Sequence, residues 1–340
     1  MGACYERETP DLAWKLLQAY DDISLEAQIY PDVVTLSIVY SCLCRVPDYQ
    51  DMAESVLERA IRMSKKLAGS KRRKAMASSR RHGKGVQCKD VEHKLQELYG
   101  PEFRVLHETA DLIVLSKPSG MVCFHKHTTS AGKVRRPKKG RQAIDDRDVS
   151  LEDALLNQNV PLSTLNTEAR GLVHRIDRGT SGCIVLAKTD DMHAKLLTQF
   201  FLRRARKRYT AVVSPTREIE SKGPIDVPVD GRPARSIYSI LKRHGDDAIS
   251  LEVETLTGRK HQVRVHCAKG LDSPILLDPI YTTNVEYPPA IVNILTDGRQ
   301  RFFLHASSLS IPDFDIDVQA PLPCWWDEAI SEIENSRKNC

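Results

Sequence analysis

No apolar run in this 340-residue chain approaches the roughly 18 residues that a membrane-crossing helix needs, so the chain is expected to be soluble, without a membrane partner. It also lacks any Cys-x-x-Cys pair: its nine cysteines are scattered from Cys4 to Cys340, and only Cys42 and Cys44 stand close together. An odd, dispersed set points to reduced, partly buried thiols inside a cell, not to a disulfide framework. The histidines are equally dispersed, and His125 and His127 sit in a basic loop without a partner pair, so no metal site is expected. Acids are missing from Arg62 to Lys89, a stretch rich in Lys and Arg. Like charges repel there, and the intervening Ser, Gly and Ala offer little to bury, which marks a linker.

What remains is 41% hydrophobic and 28% charged, enough for one full core of about 200 residues and a smaller module. The net charge of +5 is modest but unevenly placed. A second basic patch, Lys133 to Arg141, interrupts the later part of the chain. Both patches either attract phosphate or simply solvate their loops, and Lys65-Lys66 with Lys71 to Lys74 also fits a nuclear import signal. Ahead of the linker, Leu12, Leu16 and Tyr20 recur at helical spacing. Pro31-Asp-Val-Val-Thr35 then opens a helix, and Asp51 to Met63 forms another after a turn.

The richest segment is Gly171-Leu-Val-His-Arg-Ile-Asp-Arg-Gly-Thr-Ser-Gly182, which sets Asp177 between Arg175 and Arg178 ahead of a glycine- and hydroxyl-rich turn. Cys183 to Ala187 follows as an apolar run of strand length, so the acid sits on a loop entering a buried strand, a common seat for catalytic groups. The plainer alternative is a turn-capping Asp paired with a neighbouring Arg. Further on, Ser150 and Asp153 form a capping box for a helix from Leu151, and Thr189-Asp-Asp191 starts a helix with Met192, Leu196 and Phe200 as its apolar stripe and Arg203, Arg204 and Arg206 near its end. Residues 248 to 256 alternate Ile249, Leu251 and Val253 with Ser250, Glu252 and Glu254, a half-buried strand. Short strands with few helices indicate an α+β fold.

His174-Arg-Ile-Asp177 with Thr180-Ser-Gly182 resembles the signature of the RluA-type RNA pseudouridine synthases, with Ile176 in place of Leu. Other segments follow in family order: Asp111 to Gly120 ending in Lys117-Pro-Ser-Gly120, Lys207-Arg-Tyr209, Thr257-Gly-Arg-Lys-His-Gln-Val-Arg-Val-His266, Ser273-Pro-Ile275, Asp278 with Tyr281, Leu304-His-Ala306 and Ala320-Pro-Leu-Pro323. The chain departs from the pattern at Leu277, where the family has Gly, and lacks the His-Pro pair expected after Ala306. Pro31 to Thr35 and its helices resemble a pentatricopeptide repeat.

The resemblance implies a mixed, largely antiparallel sheet of the pseudouridine synthase type, preceded by a small all-α repeat-like module. It divides the chain into a helical hairpin (1–66), a basic linker (67–93), a catalytic domain (94–330) with a basic insertion (126–149), and a tail (331–340). The implied reaction isomerises uridine to pseudouridine in transfer or ribosomal RNA, on a flipped nucleotide, with no cofactor. It assigns catalysis to Asp177, Tyr209 and Arg264, with Arg264 pairing with the acid. RNA contacts fall to Lys117, Arg175, Arg178, Lys207, Arg259 and His261. Arg175 either wedges into the vacated stack or binds phosphate; His174, His261 and His266 are either scaffold or RNA contacts. The rival reading is an inactive RNA-binding scaffold of the same fold. A glycosidase would need a second acid, which the Asp177 motif lacks. The hairpin has either RNA or a protein as partner, and organelle, cytoplasm and nucleus stay open. Because the reaction involves neither a metal constellation nor a redox change, activity is expected to survive prolonged EDTA treatment with no added nucleotide or reductant. Loss of activity on chelation, restored by zinc but not by magnesium, would overturn this reading of the scattered Cys and His.

Overall fold

The computed structural model describes residues 88–125, 149–166, 169–201, 203–245, 248–282 and 300–335, with separate helical positions between 14 and 59. The basic stretches at 67–87 and 126–148, the last five residues and most of the N-terminal hairpin lie outside the described residues.

Among the described residues nine strands form one sheet: β1 (Arg104–Glu108), β2 (Leu112–Lys117), β3 (Ser181–Ala187), β4 (Arg206–Val213), β5 (Lys222–Ile225), β6 (Ser236–His244), β7 (Ala248–Thr255), β8 (Leu304–Ile311) and β9 (Ile316–Gln319). Their order is β1-β2-β3-β8-β4-β7-β6-β5, with β9 also on β8. Every pairing is antiparallel except β3 with β8, which lasts only for Ser181↔His305 and Gly182↔Ala306. Beyond that two-residue seam, β9 takes the same edge of β8 from Ser308 to Ile311. The sheet is therefore mixed and largely antiparallel, and its weakest joint lies directly after the Asp177 loop.

Helices cover both halves. They are α1 (Cys88–Tyr99), α2 (Leu151–Asn157), α3 (Asp190–Phe201), the single turn α4 (Gln262–Val265), which runs into a π-helical turn (His266–Gly270), and α5 (Cys324–Asn335). None is long and apolar enough among the described residues to cross a membrane. The capping box at Ser150 is present, with Ser150 Oγ accepting the Asp153 N–H at 3.1 Å. Arg206 does not end α3 but opens β4. In β7 the alternation holds for Glu252 and Glu254, whereas Ser250 is buried because its hydroxyl meets His244 Nε2 at 2.7 Å.

The strands β2 and β3 are buried at every position, which explains why they read as continuous apolar runs without a polar face. They anchor one core together with α1 and α2, and the other core gathers β4, β7, α4 and α5 around Phe303, Trp325 and Trp326. Packed residues lie on the far side of both boundaries drawn from the sequence: Val91 and Leu95 of α1, around position 94, pack into the first core, and Ile333, beyond position 330, packs into the second. Between 14 and 59 the buried Leu17, Leu36, Val39, Leu43, Ala53 and Val56 form a cluster of their own.

Lys117, which the resemblance assigns to RNA contact, is instead fully buried, and its ammonium donates to Pro118 O at 2.9 Å, Met121 O at 2.7 Å and Arg178 O at 3.2 Å. Burial lowers its pKa to about 8, and three carbonyls take the place of water. The turn that follows holds the loop from the other side: Gly120 N–H donates to Arg178 O at 2.8 Å, Arg178 Nε to Gly120 O at 2.9 Å, and Cys123 Sγ to Ile176 O at 3.3 Å. The Lys-Pro-Ser-Gly segment and Cys123 thus fix the carbonyls on both sides of Asp177. Lys117→Met, which strands those carbonyls, is expected to cost about 2–4 kcal/mol of stability and to leave RNA affinity within about two-fold. Unchanged thermal melting with a clear loss of RNA binding would return Lys117 to the RNA interface.

Candidate active site

Asp177 sits at the tip of the loop between Leu172 and β3, where its carbonyl accepts the Thr180 N–H at 3.1 Å and closes a tight turn. Two glycines make that turn possible. A Cβ on Gly179 would stand 2.2 Å from the Phe302 ring, and one on Gly182, at φ +103°, would stand 2.3 Å from Ala306 O. The hydroxyl-rich stretch of the motif serves the seam: Ser181 Oγ meets His305 Nδ1 at 2.8 Å, and His305 Nε2 meets Ala320 O at 3.1 Å. A carbonyl only accepts, so Nε2 carries the proton and Ser181 donates to Nδ1. Burial holds the His305 pKa down at about 4, which keeps the ring neutral.

The facing wall comes from Thr257 to His266. Gln262 pins it: its Oε1 accepts Thr257 Oγ1 at 2.6 Å and Arg259 N–H at 3.0 Å, and its Nε2 donates to Arg235 O at 2.9 Å and Ser236 Oγ at 3.0 Å. With that amide fully satisfied, α4 is oriented so that Arg264 Nη1 reaches Asp177 Oδ2 at 3.2 Å. The stronger partner of Arg264 is Asp278, which takes Nε at 2.6 Å and Nη2 at 2.7 Å in a fork whose acid side chain is completely buried. The guanidinium also lies over the Phe302 and Tyr281 rings, 4.7 and 5.1 Å from their centroids. Burial works against its charge, but the Asp278 hydrogen bonds and charge, aided by Asp177, raise its pKa overall. The second carboxylate absent from the Asp177 motif is therefore present in space. It cannot act as a glycosidase acid, because Arg264 covers both of its oxygens.

Leu277, the departure from the family pattern, has φ +65°. It adopts the left-handed backbone that glycine reaches freely, at a cost of about 1–2 kcal/mol for an L side chain. The Leu277 side chain packs against the second core.

Asp177, Arg264, Tyr209, Lys207, Arg175 and Arg259 line one open cleft of about 1050 Å³ at the seam. Tyr209 is the single β4 residue opposite two of β8, Ala306 and Ser307, between the pairs Arg208↔Ser308 and Thr210↔His305, and such bulges re-aim side chains beside functional sites. Burial, then the Asp177 charge, raises its pKa, so the hydroxyl stays protonated. Burial lowers the Lys207 pKa to about 8; its ammonium lies 5.9 Å from the Phe200 ring centroid. Arg175 is exposed at the rim over Phe124, 5.5 Å from the ring centroid. Arg178 lies outside the cleft lining, turned toward Gly120.

The histidines divide. His174 Nε2 accepts the Val185 N–H at 3.0 Å, its ring stacks on Phe200, and burial takes its pKa to about 3, so it is scaffold. His266 is buried and bonds Val227 O at 2.9 Å, also scaffold. His261 instead faces the acid, with Nε2 3.8 Å from Asp177 Oδ1. Sequence reasoning missed Asp278 and Phe302 as parts of the site. The Asp278-x-x-Tyr281 spacing was visible, but nothing in one dimension tied it to Arg264. Among the described residues no group of three or more His, Cys, Asp or Glu is arranged to hold a metal ion.

The family model for RNA pseudouridylate synthase matches residues 111–269, which include Asp177, Tyr209 and Arg264. A ribosomal large subunit pseudouridine synthase D of Pseudomonas aeruginosa is 31% identical over 246 residues, covering 65% of this chain and 69% of that protein. An uncharacterised RNA pseudouridine synthase of Bacillus subtilis is 30% identical over 257 residues, 69% of this chain and 73% of the relative. Among solved structures, the human RNA pseudouridylate synthase domain containing 4 aligns with a TM-score of 0.51 at 22% identity, over 73% of this chain and 98% of that one, a likeness of fold. With relatives matched at this identity over more than two thirds of their length, and a sheet of the same architecture, the chain belongs to the RNA pseudouridine synthases, isomerases that act on RNA.

Proposed function

We propose that Asp177 is the reacting carboxylate of a uridine-to-pseudouridine isomerisation on structured RNA. The observation that carries this reading is its placement: a carboxylate at a cleft, tethered through one oxygen to Arg264, whose other donors are committed to a buried acid. In the reaction the N1–C1′ bond breaks, the base turns, and C5 bonds to C1′. The C5 proton then leaves and N1 gains one, so atoms and charge balance without a cofactor. Asp177 acts as nucleophile or base at the sugar. Arg264 holds its Oδ2 in place, and Tyr209 supplies an aromatic face and a protonated hydroxyl to the freed base.

The nucleotide must leave its stack to enter a cleft of this depth, which is why cations at the rim matter. Arg175, Lys207 and Arg259 are assigned to the phosphates around it. Among the relatives, those of Pseudomonas aeruginosa and Xanthomonas campestris are named for the ribosomal large subunit, which favours ribosomal over transfer RNA as substrate. The N-terminal helices, read as a repeat-like hairpin, are assigned to holding RNA or a partner protein.

Asp177→Asn is expected to abolish pseudouridine formation in a tritium-release assay while RNA affinity stays within a few fold, because the charge goes at nearly constant volume. Substantial turnover by this variant would remove Asp177 from the chemistry and favour the scaffold reading. Lys207 gives the pH dependence its sign. Its pKa of about 8 means it is charged below that pH and neutral above, so affinity for RNA falls as pH rises through about 8. Lys207→Met is expected to remove that inflection and to make the salt dependence shallower by about 0.7–0.9 log units. An inflection that persists in the variant would assign it to another group.

A further inference from the structure

The backbone at His261 is unusual: φ 57° and ψ 20° put a non-glycine residue in the left-handed region at the entry to α4. That conformation is uncommon for histidine and persists where the surroundings impose it. Here they do. The Gln262 N–H donates to Arg259 O at 3.2 Å, the Val265 N–H to His261 O at 2.9 Å, and the four bonds of the Gln262 amide lock the loop on either side. The outcome is an imidazole turned into the cleft, with Nε2 3.8 Å from Asp177 Oδ1 and Nδ1 3.1 Å from the Tyr281 hydroxyl. The two rings meet edge-on, at 87° and 5.9 Å between centroids.

Tyr281 is itself placed by Asp278, whose Oδ1 accepts the Ile280 N–H at 2.9 Å and the Tyr281 N–H at 3.2 Å. Two routes therefore run from one buried acid to the two oxygens of Asp177. One passes through Arg264 to Oδ2; the other passes through Tyr281 and His261 to Oδ1. We propose that His261, oriented by Tyr281, is a positioning residue that directs an Nε2–H at Oδ1 of Asp177 and so fixes, with Arg264, the face the carboxylate presents to the ribose. This rests on Asp177 being the reacting group. The tautomer follows from the partners: a proton on Nδ1 would turn the Nε2 lone pair on an anion, whereas a Tyr281 O–H donated to Nδ1 leaves the proton where the carboxylate is.

The charged groups around His261 are Asp177, Asp278, Arg264 and Lys260. Burial lowers its pKa, as do Arg264 and Lys260, while Asp177 and Asp278 act in the opposite sense. The ring is thus neutral near pH 7 and takes a second proton only as pH falls below the ordinary histidine range. The imidazolium then formed pairs with Asp177 and draws charge from it, so an acid limb in the turnover rate belongs to His261.

The test uses the full chain with Asp177→Asn, His261→Asn, Tyr281→Phe and the last two combined. Asn is chosen at 261 because it tolerates the left-handed backbone and does not titrate. Single-turnover rates at saturating RNA, from about pH 5 to about pH 9, are expected to fall about 5- to 30-fold in each of the two variants. The acid limb should disappear in His261→Asn, and RNA dissociation constants should hold within about two-fold. The double variant should be no slower than His261→Asn alone, since Tyr281 acts through the ring. Wild-type rates with an intact acid limb, an effect confined to RNA affinity, or additive losses would each overturn the proposal. Should His261→Asn fail to fold, Tyr281→Phe, which deletes one oxygen, carries the rate test. NMR titration of the His261 ring separates the two claims without turnover: its pKa is expected to drop in Asp177→Asn, where the facing charge is gone. An unmoved titration sinks the positioning role even if that variant is inactive. A moved titration in a variant that still turns over leaves the contact standing but removes both Asp177 from the chemistry and the role assigned to His261.

Discussion

One guanidinium shared between two carboxylates governs this site. Asp278 takes Nε and Nη2 of Arg264 in a short fork inside the protein, and only Nη1 remains for Asp177, at the longer distance of 3.2 Å. Taking charges out of water is costly and is recovered only when geometry is good and the remaining protons find partners. The Asp278 fork meets that condition, and its Oδ1 also accepts two backbone N–H groups. Asp177 stands outside that closed pair. With two acids against one guanidinium, Asp177 is oriented by Arg264 through a single contact and keeps its place at the open cleft.

The rest of the fold delivers the two walls to that contact. The Asp177 loop is held by Lys117 and Cys123 from one half of the sheet, and Arg264 is aimed by Gln262 from the other. The halves join where β3 and β8 pair for only two residues, so the cleft opens along the least continuous line of the sheet. Gly182 belongs there because the backbones of β3 and β8 approach closer than any Cβ permits, and Gly179 because Phe302 must reach past the loop to Arg264. Most of what looks like a catalytic motif is therefore the joinery of this seam.

Much of the fold was legible in one dimension. An apolar run located β3, alternation located β7, and the capping box marked the start of α2. A motif match does not tell a solvated lysine from a buried one: the Lys117 ammonium meets three carbonyls in place of water. A run of bases likewise does not mark where packing starts, since Val91, within the 67–93 stretch, packs into the first core. Asp278 and Phe302 escaped because their partner, Arg264, is distant along the chain and pairing leaves no local trace. Leu277 departs from the family's Gly in the sequence, but that its backbone is left-handed is visible only in the structure.

The most direct measurement of the central claim is a structure of the Asp177→Asn protein bound to substrate RNA. The account predicts a uridine turned out of its stack into the cleft, with its C1′ about 3–3.5 Å from the side chain at position 177, the separation of a near-attack arrangement. Arg264 should still be forked on Asp278. A target uridine that remains stacked, or a sugar carbon poised against a different acid with position 177 out of reach, would contradict it.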